Sequence, residues 1–205
     1  MKVPGCAALT LCMVLSSPAV LSGWQDAPQQ WSSRAPNKAD VTAAPRELNE
    51  LVDAQFGREF RVDSRFSPPL LTGDLNGDGI EDAVIIAHAK NPMTDQQALN
   101  YKVIDPYDEY FGTGDPKITV GFGNDDPNRN EYLLVIHGAG ASAWRAPVPK
   151  AKFVVINLPF DHLGITRLAF KKKVINVIAA KDATTNSVVF WTGKKYKWQA
   201  TQTDD

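Results

Sequence analysis

The sequence predicts an α+β fold dominated by β-strands, and three observations carry that expectation. Short apolar runs separated by turn-forming residues recur from residue 58 to the end. One stretch, "PRELNELVDAQFG" (residues 45–57), has helical spacing instead. The only cysteines are Cys6 and Cys12, so the fold must rest on a hydrophobic core, and 205 residues at 43% apolar composition suffice to build one.

The elements follow in chain order. "MK" and the apolar stretch Gly5–Leu15 read as a secretory signal, because that stretch is too short to span a bilayer as a helix. Cleavage after Ser22 fits, so residues 1–22 form the expected signal peptide. Both cysteines lie inside it, and "LTLC" lacks the small residues of a lipoprotein processing site. The exported chain then has no thiol, which excludes a disulfide scaffold, cysteine catalysis and thiolate metal sites. Residues 23–43, rich in Pro, Ala, Ser and Gln, show no period and read as a leader, with Trp24 and Trp31 unusual there. Residues 44–205 form the single expected globular domain.

In the helix, Leu48, Leu51, Val52 and Phe56 share one face, Pro45 suits the first turn and Gly57 a stop. That face should pack on an antiparallel sheet. Strands are expected over 58–63, 82–88, 117–122, 131–137, 151–157, 173–180, 186–191 and 195–200. The last two read as a hairpin across Thr192-Gly193, with Tyr196 and Trp198 alternating with Lys195 and Lys197. Residues 94–112 read as one or two short helices interrupted at Pro106.

Charge is uneven. Residues 44–141 hold 17 acidic and 8 basic residues, a net of −9; residues 142–205 hold 4 acidic and 11 basic, a net of +7. One acidic and one basic side would result. With an overall charge of −1 on an exported chain, nucleic acid is not an expected partner.

The chemistry concentrates in "LLTGDLNGDGIEDAVIIAHA" (residues 70–89), where oxygen-bearing side chains crowd between Asp74 and Asp82 directly before an apolar run. Such carboxylates repel one another unless a cation compensates them. Asp74, Asn76 and Asp78 at positions 1, 3 and 5, the Ile80 carbonyl at 7 and Asp82 at 9 can surround one hard ion. Calcium takes six to eight oxygens at about 2.3–2.6 Å, with water completing the shell. Gly77 and Gly79 permit the sharp turn. The metal-free alternative is an Asx-rich turn. Position 12 is Ile85, which excludes an EF-hand and the similar dockerin loop.

"GDLNGDGIEDAVII" (residues 73–86) resembles the calcium loop of FG-GAP and VCBS-type repeats, whose pattern runs roughly G-D-x-N-x-D-G-x-x-D before an apolar strand. The resemblance implies Ca2+ held by Asp74, Asn76, Asp78, Ile80 and Asp82. The "GAP" that often follows is replaced by "AHAK", and the pairs Phe111-Gly112 and Phe122-Gly123 lie downstream of the loop. The motif occurs once, so a full propeller is not expected. The chain also resembles small, uncharacterised exported bacterial proteins carrying a single such loop, and no activity comes with that likeness.

Other constellations are weaker. Asp125, Asp126, Asn128 and Glu131 could form a second cation site, but their spacing reads as a plain loop between strands. "VIHGAGASAWRAP" (residues 135–147) suggests a Ser142–His137 pair, yet a nucleophile elbow needs G-x-S-x-G and a following helix. A glycine-rich turn with Trp144 as a lid is the plainer reading. His88, His137 and His162 have no zinc-ligand spacing, and Asp161-His162 would point to opposite faces of a strand. Arg167, Lys171, Lys172, Lys173, Lys194, Lys195 and Lys197 suggest one basic surface for acidic polysaccharide, lipid headgroups or an acidic partner, or a solvated sheet edge.

The expected function is an exported, periplasmic or extracellular, calcium-binding structural or ligand-binding module with an unidentified protein or polysaccharide partner and no evident catalytic site. The alternative is a secreted hydrolase using the 137–144 turn or the metal.

Overall fold

The computed structural model of the chain describes residues 45–112, 131–170 and 173–201. The expected signal peptide, the leader with its tryptophans, the strand at 117–122, Asp125, Asp126, Asn128, Lys171 and Lys172 lie outside the described residues.

The fold is β-dominated, with antiparallel pairing throughout except at one strand pair, a few short helices and no closed barrel. The chain runs α1 (Pro45–Phe56), β1 (Arg61–Val62), β2 (Leu70–Gly73), β3 (Asp82–His88), α2 (Gln96–Leu99), β4 (Lys102–Ile104), α3 (Pro106–Tyr110), β5 (Glu131–His137), a 3-10 segment (Gly140–Arg145), β6 (Ala151–Val155), β7 (His162–Phe170), β8 (Lys173–Lys181), β9 (Asn186–Trp191) and β10 (Tyr196–Thr201). One six-stranded sheet has the order β1-β3-β5-β6-β4, with β2 following β1 along the same edge of β3. The second is a four-stranded meander, β10-β9-β8-β7.

The single sheet expected from sequence is therefore corrected to two, and the reason lies in β3 and β5. Their residues are apolar without alternation, which suits strands covered on both faces. Ala83, Ile85, Tyr132, Leu134 and Ile136 pack with Leu48, Val52 and Phe56 of α1 in one cluster. Val84, Ile86, Leu133 and Val135 face the other way, against Ile178, Val189, Tyr196 and Trp198 of the second sheet. The result is three layers: helix, mixed sheet, meander. Leu48, Val52 and Phe56 are at most 2% exposed, and burying each contributes about 1.5–3 kcal/mol.

α1 ends at Gly57, whose φ of +96° suits glycine and whose N–H donates to the Asp53 carbonyl at 3.1 Å. Its last turn holds no basic residue, but Lys152 of β6 donates to the Gln55 carbonyl at 2.7 Å and supplies the cation that a helix C-terminus favours. Residues 96–110 contain two short helices with β4 between them. Pro106 opens α3 rather than interrupting a helix, and Asp105 caps it by accepting from the Asp108 N–H at 2.9 Å.

Three strands were not foreseen. β2 is short and follows Pro68-Pro69, β4 is only three residues long, and β7 is an edge strand whose residues are mostly half-buried, so its alternation is blurred. The strand expected at 58–63 narrows to β1, and that at 151–157 stops at Val155. β4 pairs parallel with β6, the one departure from antiparallel pairing. Among the described residues, no helix is long and apolar enough to cross a membrane.

The sheet order spreads the basic residues over several strands of the meander. β7 and β10 are opposite edges of the meander, so Arg167 and Lys197 stand on strands separated by β8 and β9, while Lys173 opens β8 beside β7.

Candidate functional site

The oxygen-rich turn closes the β2–β3 hairpin. Gly73 and Asp82 are the last paired residues, so Asp74 leaves one strand and Asp82 opens the next. Leu75 anchors the turn: it is 3% exposed and packs between the two sheets. Asn176 of β8 adds a tie, its Nδ2 donating to the Asp74 carbonyl at 2.9 Å.

Within the turn the side chains organise the backbone. Asp74 Oδ1 accepts from the N–H groups of Gly77 (2.8 Å) and Asp78 (3.1 Å), and its Oδ2 from Gly79 (2.9 Å). Asn76 Oδ1 accepts from the Asp78 N–H at 2.9 Å, and Asp78 Oδ1 from the Ile80 N–H at 2.9 Å. Such Asx-type bonds curl the chain around its own acceptors. Gly77 and Gly79 take φ of +77° and +82°, and nothing lies within 4 Å of where a Cβ would sit. Backbone conformation, not crowding, requires glycine at both positions.

Asp82 is fully buried. Its Oδ2 accepts from the N–H groups of Leu75 (2.8 Å) and Asn76 (3.2 Å), and its Oδ1 from Gly138 (2.8 Å). Burial pushes its pKa up to about 6, with the Asp78 charge adding to the rise and the three N–H donors opposing it.

The turn is fastened to residues 137–150 at three points. One is the Asp82–Gly138 bond. The second is Trp144, 2% exposed, whose Nε1 donates to Glu81 Oε2 at 3.0 Å while Arg145 stacks on its ring at 3.8 Å. The third is Lys150, whose Nζ lies 2.6 Å from Asp78 Oδ2. Burial alone would raise the Asp78 pKa, but Lys150, the Ile80 N–H and Asn76 hold it below the ordinary carboxylate value. Sequence reasoning did not pair these segments. The one available signal was the pair Gly138 and Gly140 in "HGAGA"; in the fold a Cβ on Gly138 would lie 2.3 Å from the Glu81 carbonyl oxygen.

Among the described residues, no group of three or more His, Cys, Asp or Glu side chains is placed to hold a metal ion. The carboxylates of Asp74, Asp78 and Asp82 fold onto backbone N–H groups rather than gathering on one centre. The donors are hard oxygens, the chemistry that a hard cation takes. A carboxylate offers about four acceptor sites, and Asp74 and Asp82 each receive three N–H bonds, while Asp78 receives one and an ammonium. With Asn76 Oδ1 and the Ile80 carbonyl, five oxygen-donor groups stand on one turn.

The 137–144 turn sets His137 and Ser142 in different surroundings. His137 is 3% exposed, ringed by Phe153, Trp191 and Tyr196, and its Nε2 shares a 2.7 Å hydrogen bond with the Tyr196 hydroxyl. Burial lowers its pKa to about 4, against the attraction of Asp78 and Asp74. Ser142 is exposed, and among the described residues no hydrogen bond joins it to His137. The strained residue of the turn is Ala143, at φ +51° and ψ −129°, which carries only a methyl group.

Glu131, the described member of the second acidic group, is buried at the start of β5 and pairs with Arg65, which also binds Asp63 at 2.7 Å. His88 and His162 are exposed, His88 at the end of β3 and His162 at the start of β7. Comparison of the chain with protein-family models, curated proteins and solved structures finds no match.

Proposed function

We propose that the chain is an exported, calcium-stabilised structural or ligand-binding module, in which Asp74, Asn76, Asp78, Ile80 and Asp82 hold one Ca2+ as the resembled FG-GAP and VCBS-type loops do. The observation that supports this most is the turn itself. Its ligand-bearing residues are short, are spaced as a calcium loop requires, and sit on a backbone already curled around its own oxygens. When bound, the ion supplies charge compensation and ties the β2–β3 hairpin together. Asp82 anchors that hairpin to Gly138, so the stabilisation reaches β5 and the Trp144 turn. Export rests on the N-terminal signal and the absence of thiols elsewhere.

A thermal melt of chelator-treated full-length protein, with and without calcium, tests the reading. An ion at one hundred times its dissociation constant adds about 2.7 kcal/mol, or roughly 5–10 °C for a domain of this size. Asp78→Ala should abolish the shift. A melt that calcium leaves unmoved overturns the proposal.

A further inference from the structure

We infer that the rim of the meander where α3 meets β10 is a binding surface for an anionic polysaccharide, with Tyr110 and Phe111 stacking on sugar rings and Lys194 and Lys197 pairing with uronate carboxylates. This rests on the ligand-binding side of the reading above, uses no residue of the acidic turn and does not depend on calcium. Tyr110 and Phe111 are each 58% exposed, and among the described residues they are the two aromatics left so open to solvent. Their rings meet that of Trp198 at centroid distances of 4.9 and 5.7 Å, and Tyr107 meets it at 5.1 Å. Trp198 itself is 5% exposed, and its indole Nε1 is buried with no hydrogen-bond partner. Buried donors left unpaired are costly and rare. A hydroxyl or carboxylate oxygen entering beside the exposed rings satisfies this one.

The surrounding charge selects the partner. β10 is an edge strand, and α3 touches both of its sides: Trp198 belongs to the cluster between the sheets, while Lys195, of opposite parity, pairs with Glu109 of α3. Lys197 shares the side of Lys195, and Lys194 sits in the turn between β9 and β10. Both are exposed, and among the described residues neither forms an ion pair. The acids of α3 are engaged, Glu109 by Lys195 and Asp108 by Asn157 Nδ2 at 3.4 Å. Free cations beside open rings complement a polymer that combines flat apolar sugar faces with carboxylates. Lipid hydrocarbon offers the indole no acceptor, and an acidic peptide carries carboxylates without the flat sugar face.

Calorimetric titration of oligogalacturonate into full-length protein, in buffer containing a chelator, tests this. The unaltered chain should give saturable heat. Tyr110→Ala and Phe111→Ala, both at exposed positions, should keep its circular-dichroism spectrum and each bind about tenfold more weakly. Lys197→Gln should bind about threefold more weakly and flatten the salt dependence. In heteronuclear NMR spectra the Trp198 indole N–H resonance, assigned with Trp198→Phe, should move on titration. No heat with oligogalacturonate, equal heat with neutral maltohexaose or with oligoglutamate, an affinity that both ring substitutions leave unchanged, an indole resonance that stays in place, or binding to phosphatidylglycerol vesicles alone overturns the inference. Each of these results leaves the calcium reading standing, because the calcium melt decides that separately.

Discussion

Gly138→Ala is the substitution that most directly probes the junction between the acidic turn and the 137–150 segment. The added Cβ would lie 2.3 Å from the Glu81 carbonyl oxygen, 2.8 Å from the Ala143 carbonyl carbon and 2.9 Å from Ile80 Cγ2. Two of these are backbone atoms, which cannot rotate away. Overpacking of this kind costs about 1–3 kcal/mol. Separating the strands also stretches the 2.8 Å bond from the Gly138 N–H to the buried Asp82, and a hydrogen bond to a charged group contributes about 1.5–3 kcal/mol. Because the two effects share one displacement, about 3 kcal/mol is expected in total, or a fall of roughly 6–12 °C in melting temperature. Gly140→Ala is the control. Its φ of +59° imposes a backbone penalty of about 1 kcal/mol, but nothing lies within 4 Å of its Cβ. Circular-dichroism melts of both variants in calcium-free buffer decide the matter. If Gly138→Ala melts within 2 °C of the parent, or no lower than Gly140→Ala, the junction is not the tight contact described.

Further expectations concern groups around the same junction. His137 has a folded pKa near 4 against an ordinary 6.5, so its contribution is full above pH 6.5 and is lost as pH falls toward 4, by about 3 kcal/mol. Asp74 and Asp78 soften that loss and Lys150 sharpens it. Asp82 acts oppositely: with a folded pKa near 6, its contribution is present below pH 3.8 and lost as pH rises through 6. The stability difference between the parent and His137→Gln, followed by urea denaturation, should therefore shrink by about 3 kcal/mol from pH 7 to pH 4, and a constant difference contradicts the assignment. Trp144→Phe keeps the ring but loses the 3.0 Å bond to Glu81, and should cost about 1–2 kcal/mol in the same assay. Asp105→Ala removes the cap of α3 and should cost about 1 kcal/mol, with an unchanged denaturation midpoint as the contrary result.

Much of the strand framework was legible because burial writes itself into composition. β3, β5 and β9 carry uninterrupted apolar runs bounded by polar residues, and those runs end where the strands do. Apolarity on both faces of β3 and β5 was a visible sign of a second covering layer, yet the expectation stopped at one sheet. β7 escaped notice because Gly164, Thr166 and Arg167 dilute an edge strand that is buried on neither face. β2 and β4 are too short for periodicity to register; their partners β3 and β6 hold them.

The acidic turn was legible as a cluster of oxygens, but its partners were not. Gly138, Trp144 and Lys150 lie more than fifty residues downstream, and nothing local marks them as neighbours of Asp82, Glu81 and Asp78. Asp82 is the clearest case. Sequence gave it one role, a ninth-position ligand, whereas the fold also makes it a buried clamp on three backbone N–H groups. A short strand-initial carboxylate can serve both purposes, since one acceptor site remains beside the three in use.

Calorimetric titration of calcium chloride into chelator-treated full-length protein, at neutral pH and moderate salt, tests the central claim most directly. The account predicts saturable heat with one ion per chain, and its disappearance in Asp78→Ala while that variant keeps the parent's circular-dichroism spectrum. Heat absent from the parent, or equal in the two proteins, would contradict the account and leave the turn held by its hydrogen bonds and ion pair without a cation.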